Sequence, residues 1–203
     1  MRRPKRPTVD LLAIFVGIFA AQRVVGLLGG GIGWFALATP LARPWTLVTN
    51  VYAHASVGHL LANAVSVVVI GLPLGRVTTR ARFHAFVLVT GATAALAELA
   101  SGSLLGRQPA VLGASGAILA CVGNVLAGNR IAGGLLSRID PGRRGAATLL
   151  VAAAVAVTLL TAGPGVAVVA HATGFVLGLV AGRLGLLDSG SPRNRSGRAV
   201  DSG

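Results

Sequence analysis

The chain has 203 residues, of which 54% are hydrophobic and 11% charged, and its formal net charge is +13. A water-soluble domain carries about 25% charged residues, so the composition excludes an ordinary soluble fold and makes lipid the solvent for much of the surface. The positive charge falls in short blocks between apolar runs and aromatic residues are only 4%, which favours topogenic charge at membrane boundaries over a nucleic-acid partner. Cys121 is the single cysteine, which excludes an intramolecular disulfide and a cysteine-based zinc cluster.

A bilayer core takes roughly 20 apolar residues per helix. Windows that meet or approach this length run Leu11–Leu28, Val51–Leu74, Phe83–Leu105, Val111–Gly128, Ala146–Ala162 and Val166–Leu187. Arg2, Arg3, Lys5 and Arg6 precede the first window, as in a signal peptide. Its apolar run exceeds a signal-peptide core, and no small-x-small cleavage site follows directly, so it reads as a retained helix. The organisation expected is a basic cytoplasmic tail over 1–10, a six-helix all-α domain over 11–187, and a disordered basic cytoplasmic tail over 188–203. The last is Gly/Ser-rich and suited to anionic headgroups. Residues 129–145, with Asp140-Pro141-Gly142, read as a cytoplasmic turn.

Lysine and arginine fix the orientation. All but Arg23, Arg43 and Arg107 lie in the two terminal segments or in the second and fourth loops. Alternating loops of opposite charge content are what a multi-pass cell-membrane protein with both termini in the cytoplasm produces.

Polar side chains inside spans are costly and mark functional candidates. Ser115 stands in Leu112-Gly113-Ala114-Ser115-Gly116, at the start of the fourth window. A serine there lies beside unpaired helix N–H groups and the positive end of the helix dipole, the elements that stabilise an oxyanion. The same residues also suit a small-residue packing face with Gly116, Ala120 and Gly123. His171 stands in Ala170-His171-Ala172-Thr173-Gly174, and Gly174, Gly178 and Gly182 form a smooth stripe on the sixth helix. Close packing of that stripe on the fourth helix would bring His171 to Ser115 as a general base. The other reading of His171 is an imidazole bonded to a backbone carbonyl.

His59 and Asn63, spaced i, i+4, share a face of the second helix and can donate hydrogen bonds to an oxyanion beside the Ser115 N–H. A helix–helix hydrogen bond also accounts for Asn63. His54 is nearer the outer boundary and suited to ordering the first loop; its spacing from His59 falls between helical repeats, so the two imidazoles are expected to diverge. The acidic residues are Asp10, Glu98, Asp140, Asp188 and Asp201. Glu98 lies in the third window with no evident role, so a serine mechanism here is a dyad without an Asp partner.

Taken together, Pro44-Trp45-Thr46, His54 through His59 to Asn63, Gly113-Ala114-Ser115-Gly116 and Ala170-His171-Ala172-Thr173-Gly174 with Gly178 resemble, in order and spacing, the rhomboid intramembrane proteases. The resemblance implies a six-transmembrane-helix bundle with a water-filled cavity open to the extracytoplasmic side. Ser115 and His171 would be catalytic, with His59, Asn63 and the Ser115 amide in the oxyanion hole; Gly113, Gly116, His54, Gly174 and Gly178 are supporting residues. Substrates would be single-span membrane proteins within the lipid bilayer, and neither a metal nor an organic cofactor is implied. The chain departs from the family pattern at Thr46, where Trp-Arg is frequent, at Leu119, where an aromatic often packs on the catalytic histidine, and at Gly75, where many members are acidic. A catalytically inactive rhomboid-like protein that binds membrane clients is the alternative. A histidine metal site is a further one, for which no carboxylate or thiol joins His54, His59 and His171 in the outer half.

Overall fold

A computed structural model describes residues 7–38, 42–128 and 167–188. The described elements are α1 (Pro7–Leu27), a 3-10 turn (Ile32–Trp34), α2 (Thr46–Tyr52), α3 (Val57–Val77), α4 (Arg80–Leu104), α5 (Ser115–Gly128) and α6 (Val168–Leu184). The fifth window, the loops on either side of it and the tail beyond Asp188 lie outside the described residues. The chain is a polytopic all-α membrane bundle. Helices α1, α3 and α4 are each long and apolar enough to cross a bilayer. Large apolar side chains stand exposed along their outer faces, among them Val16, Val65, Val69 and Val89. Water would penalise that surface, whereas lipid does not.

Local signals set the helix starts. Pro7 opens α1, where its missing N–H costs nothing, and Asp10 lies in the first turn near the positive end of the dipole. Ser56 caps α3 by accepting from the His59 N–H at 3.1 Å, and Thr79 caps α4 by accepting from the Arg82 N–H at 3.3 Å. The second window is divided rather than continuous. Its first residues belong to the short helix α2, and the chain turns at Ala53–Ser56 before α3 begins, so His54 is not on the spanning helix. Hydropathy alone merges the two because the α2 residues facing inward, such as Val51 and Tyr52, are as apolar as a span.

The core gathers Leu11 and Phe15 of α1, Val51 of α2, Phe83 and Val87 of α4, and Ala117 and Cys121 of α5. Helix α6 packs chiefly on α5 and then on α4. Its contact with α5 is made backbone to backbone: a Cβ at Gly174 would run into the Gly116 carbonyl, one at Gly178 into the Ala120 carbonyl, and one at Gly182 into the Asn124 carbonyl. Glycine spaced every four residues is therefore required by the approach of the two helices. In lipid such packing rests on dispersion and close fit rather than on a hydrophobic drive.

One end of the bundle collects charge. Arg80 Nε lies 2.8 Å from Asp10 Oδ2, His84 Nε2 lies 3.7 Å from the same oxygen, and Arg82 donates to the Asp188 carbonyl at 2.8 Å. The start of α1, the α3–α4 turn and the end of α6 thus share one end, and Ser115 and His171, at the starts of α5 and α6, lie toward the other.

Gly178→Ala should destabilise the protein by about 1–3 kcal/mol, the usual cost of overpacking. Gly17→Ala, whose Cβ meets nothing within 4 Å, should stay within about 0.5 kcal/mol of the parent. Denaturation midpoints in mixed detergent micelles check both.

Candidate active site

Ser115 is the first residue of α5 and His171 lies in the first turn of α6. Their side chains meet, with His171 Nε2 2.8 Å from Ser115 Oγ. The glycine-mediated approach of α5 and α6 brings them together, and the contact is tight beside the serine itself: a Cβ at Gly116 would fall 2.9 Å from the Ala94 Cβ and 3.4 Å from the Ala170 carbonyl oxygen. His171 is buried and Ser115 half-buried.

The segment leading into Ser115 is not helical, and its polar backbone must be satisfied within the protein. Leu37 and Val111 exchange two backbone hydrogen bonds of 2.8 and 2.9 Å, and the Gly113 N–H donates to the Asn50 carbonyl at 2.8 Å. The loop before Ser115 is therefore pinned to the first loop and to α2. Gly113 has φ +120°, a region side chains rarely adopt. A Cβ there would stand 2.7 and 2.8 Å from His59 Cε1 and Nε2, and 3.9 Å from Asn63 Nδ2. His59 and Asn63 thus reach the turn that delivers Ser115. Asn63 Nδ2 is buried and has no hydrogen-bond partner among the described residues, a donor aimed into the site.

His54 is fully buried in the turn before α3. Its backbone N–H and carbonyl are both held by the Gln22 side chain, at 3.0 and 3.2 Å. Its ring packs edge-on against Phe15 at 4.8 Å and against His59 at 5.2 Å between centroids. The two imidazoles therefore meet, contrary to the divergence expected from helical spacing, because His54 precedes the helix. Burial, with His59 beside it, pushes the His54 imidazole down to about 4, so it is neutral at physiological pH and supports His59 by packing. Among the described residues no three His, Cys, Asp or Glu side chains form a metal-ligand set.

The departures from the family pattern have local explanations. Thr46 is buried and donates to the Arg43 carbonyl at 2.6 Å. Arg43 crosslinks the first loop from a different position, donating to the Gly33 carbonyl at 2.8 Å and lying over the Trp34 ring at 5.3 Å. Trp34 stacks on Trp45 at 5.9 Å, and the Trp45 indole donates to the Trp34 carbonyl at 3.0 Å. Leu119 joins a cluster with Phe175 and Leu179, so the aromatic bulk near this turn comes from α6. At Gly75, Pro7 lies 3.1 Å from where a Cβ would be, and α1 takes up the space.

Two residues that sequence patterning left without a role are placed here. Gln22 is the clamp on His54. Glu98 of α4 accepts hydrogen bonds through one carboxylate oxygen from the Val169 and Ala170 N–H groups, at 2.8 and 3.0 Å. The rarity of carboxylates in the apolar windows singled Glu98 out, but sequence alone could not identify the helix end it meets.

A serine–histidine pair held between helices of an all-α integral membrane protein is the class that this fold and site define. The family model of the Rhomboid domain matches residues 41–187, more than half of the chain. The chain belongs to the rhomboid family, whose members are intramembrane serine proteases acting on membrane proteins, together with inactive homologues. A comparison with curated proteins finds no match.

Gly113→Ala should destabilise the protein by about 1–3 kcal/mol through backbone strain and displace the His59 ring. Thermal unfolding in detergent measures the first effect, and histidine NMR shifts of the variant check the second.

Proposed function

We propose that the chain is an active intramembrane serine endopeptidase in which Ser115 is the nucleophile and His171 the general base. The observation that carries this reading is the 2.8 Å contact between His171 Nε2 and Ser115 Oγ. An inactive homologue has no need to preserve that alignment in a half-buried polar pair. In the proposed reaction, Ser115 Oγ attacks the substrate carbonyl carbon as its proton passes to His171 Nε2. The oxyanion accepts hydrogen bonds from the Ser115 N–H, His59 and Asn63. His171 then returns the proton to the leaving amine, and a water, giving a proton to His171, attacks the acyl carbon; the C–Oγ bond breaks and His171 passes that proton to the departing Ser115 Oγ.

The substrates proposed are single-span membrane proteins, and the proposed setting is the cell membrane with both termini in the cytoplasm. Two observations support this topology. The cluster of Asp10, Arg80, Arg82 and His84 gathers basic groups at the end of the bundle that holds the start of α1 and the end of α6. The dyad lies toward the opposite end, where basic residues are few. The domain proposed spans 11–187, with short basic tails at 1–10 and 188–203.

Cleavage of a model single-span substrate by the purified protein in detergent or proteoliposomes is the direct test. Ser115→Ala and His171→Ala should each abolish turnover while the protein stays folded. His59→Ala and Asn63→Ala should each lower kcat by about 10²–10³, the usual loss for one oxyanion donor. Cleavage by Ser115→Ala at the parent rate would exclude the serine mechanism. Stable binding of the substrate without cleavage by the parent would favour a client-binding homologue.

A further inference from the structure

We infer that Glu98 is the positioning residue for the catalytic base, holding His171 by capping the N-terminus of α6 from a neighbouring helix instead of by bonding its ring as a triad aspartate does. The inference rests on the dyad reading of Ser115 and His171. Helix α6 opens without a cap of its own: Ala167 precedes it, and no side chain there satisfies the first N–H groups. Those groups would otherwise be orphans in a low-dielectric setting. Glu98 Oε2 takes two of them, Val169 N–H at 2.8 Å and Ala170 N–H at 3.0 Å. The next amide, that of His171, makes its intrahelical bond to the Ala167 carbonyl at 3.0 Å. The carboxylate therefore fixes the turn of helix that carries the imidazole.

The geometry around Glu98 gives this cap leverage over the dyad. Ala94, one turn earlier on α4, meets Gly116 beside the nucleophile, and the Ala170 carbonyl lies against the same glycine. Thus α4 touches the α5 start through Ala94 and the α6 start through Glu98, and spans both halves of the dyad. Charge-assisted bonds from backbone N–H to a carboxylate are stronger and more sharply directed than neutral ones. A negative group at the start of α6 also opposes the positive end of its dipole, which would otherwise disfavour the imidazolium that forms when His171 takes the serine proton. Since misplacing a reacting group by about 1 Å can cost about 10²-fold in rate, a frayed first turn of α6 would act on kcat far more than on substrate binding.

The test uses the full-length protein with the single-span substrate and a fluorophosphonate probe that reacts with an activated serine. Glu98→Met keeps the volume and removes the acceptor; Glu98→Gln keeps an oxygen able to accept from both amides. Per folded molecule counted by size-exclusion chromatography, Glu98→Met should lower kcat by about 10- to 100-fold and slow probe labelling in parallel, with KM within about twofold of the parent. Glu98→Gln should recover most of both rates. Parent-like kcat and labelling in folded Glu98→Met would overturn the inference, as would a change confined to KM. If Glu98→Met does not fold, Glu98→Asp decides: its carboxylate is one methylene short of the amides, and a parent-like kcat there overturns the inference. A parent protein that neither cleaves nor labels, under conditions where Ser115→Ala behaves identically, would instead overturn the dyad reading itself.

Discussion

At Gly174, Gly178 and Gly182 no side chain separates α6 from the backbone of α5, and most of the site follows from that. The Gly174, Gly178 and Gly182 positions lie against the backbone of Gly116, Ala120 and Asn124. Two helices this close have little freedom to slide or rotate, because any residue larger than glycine would have to push a carbonyl aside. The register so fixed puts the first turn of each helix beside the other, and Ser115 and His171 occupy those turns. In water a catalytic pair can rely on buried apolar area to hold its framework. In lipid that drive is absent between helices, and close van der Waals fit takes its place.

The second constraint is that non-helical backbone within a bilayer must find its partners in the protein. The stretch before Ser115 does so through Leu37 and Asn50, and this ties Ser115 to the first loop. The first loop is in turn stiffened by Arg43, Trp34 and Trp45, and by the Gln22 clamp on His54. His59 is reached from two sides, by the Ser56 cap on its N–H and by the His54 ring against its own. Segments distant in sequence thus converge on a small volume and, among the described residues, are held there by hydrogen bonds to backbone. Among the described residues the charge pairs lie at the other end, where Arg80 and Asp10 remain partly exposed and contribute little to stability.

Much of this was legible in the sequence because membrane chains have few polar residues to spare. Hydropathy located α1, α4 and the described helix of the sixth window, and the glycine spacing anticipated the α5–α6 contact that joins Ser115 to His171. What the sequence withheld was pairing between helices. His54 and His59 read as divergent because the periodicity argument assumed one helix, whereas a turn at Ala53–Ser56 separates them. Glu98 read as idle because nothing in its own helix reveals which neighbour's N-terminus it faces. Gln22 passed unnoticed for the same reason: its partner is a backbone 32 residues away.

Among the described residues, Glu98 is the carboxylate placed beside the start of α6. A carboxylate buried between helices loses its hydration and needs full compensation. Glu98 is half-buried, and two backbone N–H groups that need acceptors in any case compensate for its burial. The same bonds that close the N-terminus of α6 restrain the turn that carries His171. Structural satisfaction of the backbone and orientation of the imidazole are thus one interaction, and a membrane interior, which penalises every unmet N–H, makes that economy favourable over a separate buried ion pair.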